Sequence, residues 1–321
     1  MQLVNSPAVI QGNGYRSKFG FLWALPKARA LVKTHGIKIV HCHLRASWVT
    51  GVLLAMMMGR RRPKVVFHEH GWILFGGYFY RAFVRIAAKF GLIVGVSNLV
   101  VNRLALSKIP MTRLKMVHNF VDMAYFTQDS KARDSMRKSL EDSEEKFLIG
   151  FSGRLVAVKG WRYLLEAMEL LSKRKGYKAL FAGTGPDEEK LKAAIQKSNL
   201  TGLATPLGHV KNINHFYNAL DVLVIPSVIE PVGMVQLEAQ ACGTPVVAFD
   251  TEGVREIIGN SNARLIPVGD VKALASAIEE LRKDGDQYDK LVNAGLDNAK
   301  RFSLENYASK INALYEELLR E

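Results

Sequence analysis

What most constrains this chain is a repeated local grammar: a short apolar run, a Gly, His or Ser to end it, then a helix-period stretch. In the second half the runs are FLIGFSG from Phe147, ALFAG from Ala179, VLVIPS from Val222, PVVAFD from Pro245 and RLIPV from Arg264. Helical patterns follow over 161–173, from Asp187 onward and over 233–242. Strands apolar on both faces and separated by helices belong to a parallel sheet covered on both sides, so the expected class is α/β, doubly wound. The first half repeats the theme more loosely with KIVHCH, KVVFHEHG, LIVGVS and LKMVHNFVD. A final helix is expected over 303–320, with Ser303 as its N-cap.

A length of 321 residues exceeds what one core usually serves. We therefore expect two Rossmann-like domains, 1–127 and 128–302, with the helix of 303–321 packing back towards the first. The acidic, Lys-rich stretch 128–146 reads as a linker, or a linker with a short helix. In open parallel sheets ligands bind at the carboxyl ends of strands. The punctuating residues fall there: His41, His43, His68, His70, His118, Asn119, Arg154, Gly183 to Pro186, Glu230 and Asp250. Two such domains with strand ends facing each other would make a cleft.

Charge divides the chain unevenly. Residues 1–121 hold 18 Lys or Arg against one acidic residue, Glu69, whereas the other 200 residues hold 26 basic and 29 acidic groups. That asymmetry points the first half towards a polyanion: nucleic acid, an anionic membrane or a phosphorylated substrate. No nucleic-acid motif accompanies the charge, so nucleic acid is set aside. In the segment 77–90 Arg81, Arg85 and Lys89 recur every fourth residue, with Phe83, Ile86, Ala87 and Phe90 on another face. A basic amphipathic helix of this kind can lie in a membrane interface, or simply bury its apolar face in the core. Arg60-Arg61-Arg62-Pro63-Lys64 nearby favours the membrane. Two distant cysteines, Cys42 and Cys242, suggest a reducing compartment. No apolar run reaches bilayer length, and MQLVNSPAVIQGNG lacks the layout of a signal peptide, so a cytoplasmic, peripheral membrane location is expected.

The richest chemistry lies in SVIEPVGMVQLEAQACGTPVVAF from Ser227. Strand, loop, helix and strand follow one another there, and the first amides of the helix, those of Gly233, Met234 and Val235, would face outward as an anion site. Glu230 precedes that helix and Glu238 lies one turn in. They suit hydroxyl-rich groups on either side of a phosphate, such as a sugar and a ribose. Taken singly, Glu230 could be a helix-start charge and Glu238 a surface residue. In FSGRLVAVKGW from Phe151, Arg154 and Lys159 could neutralise a diphosphate. The Gly183-Thr-Gly185-Pro turn lacks the third Gly of a dinucleotide fingerprint. Asp284-Gly-Asp286 matches a metal motif only formally and reads as a connector between helices, and two histidines such as His41 and His43 are thin evidence for a metal.

The ordered set GRLVAVKG, AGTGPDEEKL, LGHV, ALDVLVIPS, EPVGMVQLEAQACGTPVV and EGVREII over residues 113–315 resembles the family 4 glycosyltransferases of GT-B fold. IVHCH, VVFHEHG, GVSNLV and VHNFVD extend the likeness into the first half. The resemblance implies a retaining, metal-independent transfer, without cofactor, from a UDP- or GDP-linked sugar to a glycan or lipid-linked acceptor. It makes Glu230 and Glu238 the E-x7-E pair, contacting donor sugar and ribose respectively. It further implies that Arg154 and Lys159 bind the diphosphate, that Val210 lies near the base, and that His70 faces the sugar from the first domain. Family members usually begin with a strand, a Gly-rich loop and a helix, and Gly12-Asn-Gly14 does not fit that loop, so a shortened start is expected. Lipopolysaccharide, polysaccharide or glycolipid synthesis is the implied setting. A nucleotide-sugar epimerase of the same architecture and a non-catalytic membrane-binding relative are the alternatives.

Overall fold

The computed structural model describes residues 20–140 and 145–320, and all structural statements concern these. Gly12-Asn-Gly14 and the leader reading of the first residues lie outside them. The chain forms two compact units. One runs to His118 and takes up Ala308 onward; the other is Asn119–Tyr307. The divisions expected at 127/128 and 302/303 fall nine residues after the first of these boundaries (118/119) and five before the second (307/308). Tertiary contacts account for the difference: Val121 pairs with Ser303, and Phe120 packs on Tyr307 with ring centroids 5.0 Å apart.

The first unit comprises α1 (Gly20–His35), β1 (Ile39–His43), α2 (Leu44–Met58), β2 (Lys64–Glu69), α3 (Tyr78–Phe90), β3 (Leu92–Gly95), α4 (Asn98–Ala105) and β4 (Leu114–Met116). Its four strands lie in the order β1-β2-β3-β4, all parallel. Val65, Val66, Phe67, Ile93 and Val94 are buried, as near-continuous apolar strands covered on both faces must be.

The second unit begins with α5 (Ser130–Ser139) and β5 (Phe147–Ser152). It continues with α6 (Trp161–Leu171), β6 (Tyr177–Ala182), α7 (Glu188–Lys197), β7 (Ala204–Gly208), α8 (Ile213–Ala219), β8 (Val222–Ile225), α9 (Met234–Ala241), β9 (Val246–Phe249), α10 (Glu252–Arg255), β10 (Arg264–Ile266), α11 (Val271–Lys283) and α12 (Gly285–Arg301). The last helix, α13 (Leu304–Arg320), starts here, and its later part belongs to the first unit. The strand order is β10-β9-β8-β5-β6-β7, again parallel. Both sheets bear out the α/β expectation. One large core, with Trp161, Phe181, Phe249 and Leu274 at its centre, fills the second unit.

Two stretches gain detail that the sequence did not show. Of the two readings of 128–146, the one with a short helix holds: α5 is capped by Asp129 on the amide of Ala132 (3.0 Å) and bolted to the sheet. Arg133 and Arg137 clasp the two oxygens of Asp221, at 2.6 and 2.5 Å, and Asp221 also accepts from the amide of Leu148 at 2.7 Å. Long-range charge pairing made the helix part of the domain, which local composition cannot show; residues 141–144 lie outside the described set. The strand β7 went unread because ATPLG lacks β-branched repetition and contains Pro206. As the sheet's edge it tolerates a proline. Other local readings hold: Ser303 caps α13, with the amide of Asn306 3.4 Å from its Oγ, and Asp284 caps α12 on Gln287 (2.9 Å), making it a connector residue.

Candidate functional site

The second sheet winds outward in both directions from β5, through β6 and β7 on one side and β8, β9 and β10 on the other. The connections after β5 and β8 therefore diverge to opposite faces, leaving a crevice at their carboxyl ends. Gly160 and Gly183 let the backbone close around it. Gly160 has φ +70°, and a β-carbon there would fall 1.8 Å from the carbonyl oxygen of Pro226. Gly183 has φ +142°, and a β-carbon would fall 1.9 Å from the carbonyl oxygen of Gly153. Only glycine fits such contacts.

Lys159 follows β5 and Glu230 follows β8, and the crevice joins them: the ammonium lies 2.6 Å from Glu230 Oε2. Ser227 donates to the same oxygen at 3.1 Å. Glu230 is 5% exposed, so its charge depends on these partners. Arg154, on the same loop as Lys159, is exposed. Gly233, in the left-handed region, turns the chain into α9 (φ +74°), whose first amides, those of Met234 and Val235, lie at the helix start, where unpaired amides favour an anion.

Glu238 is not a surface residue. Tyr217, on α8, donates to its Oε2 at 2.8 Å and lies 3.0 Å from Ser152 Oγ at the end of β5. Burial raises the Glu238 carboxyl above its ordinary range, while the Tyr217 hydrogen bond pulls it back. Burial, followed by Glu238, pushes the Tyr217 phenol well up. The end of β7 is drawn in as well: the amide of Gly183 donates to Gly208 at 2.7 Å, two residues before the half-buried Val210. Thus Arg154, Lys159, Glu230, Gly233, Met234, Val235, Glu238 and Val210 all belong to this one unit, and Lys159 meets Glu230 directly. Sequence reasoning missed Tyr217 and Ser152; Ser152 is a polar tip on the apolar strand β5, and Tyr217 sits in the mixed helix INHFYNA, where nothing local marks it.

His70 belongs to the first unit and is one of four clustered imidazoles. His41 and His43 alternate on β1, while His68 on β2 and His70 just beyond it alternate likewise, and His43 is the register partner of His68. The two-residue period of strands sends all four to one face. Ring centroids are 4.3 Å apart for His41–His43 and 4.6 Å for His68–His70. His43 Nδ1 lies 3.2 Å from His70 Nε2, and His41 Nδ1 lies 2.6 Å from the Tyr315 hydroxyl on α13. Burial, then the neighbouring imidazoles, push His41 down to about 3 and His68 to about 2. Burial, then His43, push His70 to about 4. The Val117 main chain favours charged His68 but lies outside hydrogen-bond geometry, so burial wins.

Elsewhere in the unit Glu69, the single acidic residue of the first 121, is committed internally. Its carboxylate accepts from the amides of Gly71 (3.0 Å) and Ile73 (3.1 Å) and from Tyr80. The outward field of this region is left to its cations. On α3 the buried residues are Val84, Ala87 and Ala88, so of the apolar set Phe83, Ile86, Ala87 and Phe90 only Ala87 is buried. Ile86 is 47% exposed and Phe79 88%, close to exposed Arg81 and Lys89. Arg62 stacks over Phe90 at 5.6 Å. No described helix is long and apolar enough to cross a membrane.

Two parallel α/β units with a switch-point crevice carrying cations and a helix start define a GT-B-type glycosyltransferase fold. The fold of a cyanobacterial protein, HepE from Anabaena, solved with UDP and glucose, superposes at a TM-score of 0.83 with 20% identity, covering 94% of this chain and 83% of that one. The sequence pattern of "Glycosyl transferases group 1" matches residues 132–297, and that of "Glycosyltransferase Family 4" matches residues 3–125. This chain belongs to the group 1 glycosyl transferases. Among its relatives are an uncharacterized glycosyltransferase of Methanocaldococcus jannaschii, 29% identical over 64% of this chain, and the lipopolysaccharide core biosynthesis mannosyltransferase LpsB of Rhizobium meliloti, 32% identical over 57%. The chain spans about half the length of these curated relatives, 55% of each.

Proposed function

We propose that the protein transfers a sugar from a nucleoside-diphosphate sugar to a glycan or lipid-linked acceptor at an anionic membrane surface, with retention of anomeric configuration. The observation that carries the reading is the Lys159–Glu230 pair held at the switch point beside the start of α9. As the sugar–phosphate bond breaks, positive charge grows on the sugar and negative charge on the leaving diphosphate. Arg154, Lys159 and the amides of Met234 and Val235 stabilise that anion more in the transition state than in the bound donor. Glu230 is freed towards the sugar hydroxyls when Lys159 turns to phosphate. Glu238, oriented by Tyr217, takes the ribose hydroxyls, and Val210 borders the base. These groups supply the charge stabilisation without a cofactor. His70 is assigned to the sugar by its likeness to the family. A UDP- or GDP-linked donor is favoured by that likeness and by the UDP in the HepE structure. LpsB and its lipopolysaccharide core favour a surface glycan as the setting.

The surface of the first unit supports membrane action. Exposed Tyr78, Phe79 and Ile86 stand among Arg81 and Lys89, an arrangement that inserts aromatic rings at a headgroup boundary while cations meet anionic lipid. The test is a thermal-shift panel of UDP, GDP, ADP and their sugar conjugates, followed by nucleotide-release assays with the stabilising donor. A ligand at a hundred times its dissociation constant stabilises by about 2.7 kcal/mol. Stabilisation by one nucleotide family that disappears in Arg154→Ala supports the reading, and no response to any of them defeats it.

A further inference from the structure

We infer that the imidazole cluster of the first unit is a binding site for a borderline-soft divalent cation of the Zn²⁺ class, ligated by His41, His43 and His68. The inference does not depend on the sugar-transfer reading. One ring nitrogen from each of these residues lies within 4.8 Å of the others. Tetrahedral zinc–imidazole bonds of about 2.0–2.1 Å place ligand nitrogens roughly 3.4 Å apart. Side-chain rotations closing up to about 1.4 Å therefore complete the site without moving the strands, which are locked in register from Ile39↔Lys64 to His43↔His68.

The donor set suits such an ion. His41 Nε2 and both nitrogens of His68 are buried and lack a hydrogen-bond partner, a cost a fold rarely bears without a ligand. The surrounding groups match those that steady metal-bound imidazoles. For Nε2 of His41 to ligate, Nδ1 carries the proton and donates it to the Tyr315 hydroxyl 2.6 Å away. His70 bonds to His43 at 3.2 Å and orients it. Cys42 alternates to the opposite face of β1 against Gly51, its thiol pushed up to about 12 by burial, so a thiolate ligand is not offered. Three imidazoles leave the fourth position to water or to a hydroxyl-bearing ligand.

The experiment uses the whole chain without a polyhistidine tag, dialysed against chelator and then titrated with Zn²⁺, and separately with Co²⁺ as a visible-absorption reporter. We expect one equivalent of Zn²⁺ per chain and a cobalt spectrum of nitrogen-rich tetrahedral or five-coordinate character. His43→Ala, at an exposed position, should abolish both while circular dichroism stays unchanged. Tyr315→Phe, which touches no ion, should weaken binding by about tenfold. Absence of stoichiometric uptake overturns the inference. So does uptake that survives His43→Ala and His41→Gln together, or that is lost instead in His209→Ala.

Discussion

The two sheets are both parallel, yet they make their sites differently. The second winds outward from β5 in both directions, and topology alone opens a crevice at its centre. There both carboxylates have a partner, Glu230 in Lys159 and Ser227 and Glu238 in Tyr217, and at the opposite, amino end of β8 Asp221 is paired with Arg133 and Arg137. Among the described residues the first sheet winds one way only, and its strand ends carry imidazoles that crowd one another and leave buried nitrogens unpartnered. A site made by topology can hold its charges pre-paired and exchange the partner for a ligand. A site made by side-chain alternation stores its polarity as neutral rings and draws its ligand by unsatisfied nitrogens.

The largest effect should come from breaking the pre-paired side. Arg154→Ala and Glu230→Gln are each expected to lower the turnover of sugar transfer by about 10²–10³-fold, the magnitude of losing one transition-state charge contact, measured as nucleotide release. Transfer unchanged in both would dissolve the contrast between the sheets. Next, Asp221→Ala removes the shared partner of two arginines and should cost about 3 kcal/mol in urea unfolding, because it leaves Arg133 and the buried Arg137 uncompensated. A loss below about 1 kcal/mol would show that α5 is held by packing instead.

Acid should act on the imidazole side. The folded-state values of His41, His68 and His70 lie below the ordinary 6.5, so the unfolded chain takes up protons first as pH falls. Their contribution is fully present above pH 6.5 and is lost progressively from there, through about pH 4 for His70 and on towards about 3 for His41 and about 2 for His68. Hydrogen exchange at pH 7.5 and 5 should show protection lost from β1 and β2 well before β5 and β8; equal loss in both sheets would contradict the difference.

Tyr217→Phe should cost about 1 kcal/mol of stability and weaken nucleotide binding more than it changes turnover, since it only orients Glu238. An unchanged nucleotide affinity would remove Tyr217 from the site. The smallest effect on stability is expected from Phe79→Ser with Ile86→Ser, within about 0.5 kcal/mol, because both side chains are exposed. The same pair should reduce co-sedimentation with vesicles containing phosphatidylglycerol; undiminished binding would count against a membrane role for this surface.

Much was legible beforehand because it is local. Apolar runs at Phe147, Val222 and Pro245 became β5, β8 and β9, and Ser303 and Asp284 became caps, since period and capping depend on neighbours in sequence. The E-x7-E spacing and the Arg154–Lys159 loop were also readable, being contained in single strand–loop–helix units. β7 was not, because an edge strand with Pro206 lacks the pattern of a buried one, and the tie between α5 and the sheet was not, because Asp221 lies more than eighty residues away. Which residues α3 buries stayed open for the same reason: periodicity gives an apolar side, but the neighbours decide which residues are covered.

By itself, then, the amino-acid order determined the class of fold, the strand-end position of the chemistry and the strongly positive first half, because each follows from local periodicity and counting. Only the tertiary structure decided that Lys159 meets Glu230 across the switch point, that Tyr217 and Ser152 hold Glu238, and that four histidines converge on one face. Strand order and register bring together side chains that sequence separation keeps apart, and those long-range pairings settle which charges are paired and which nitrogens are left open.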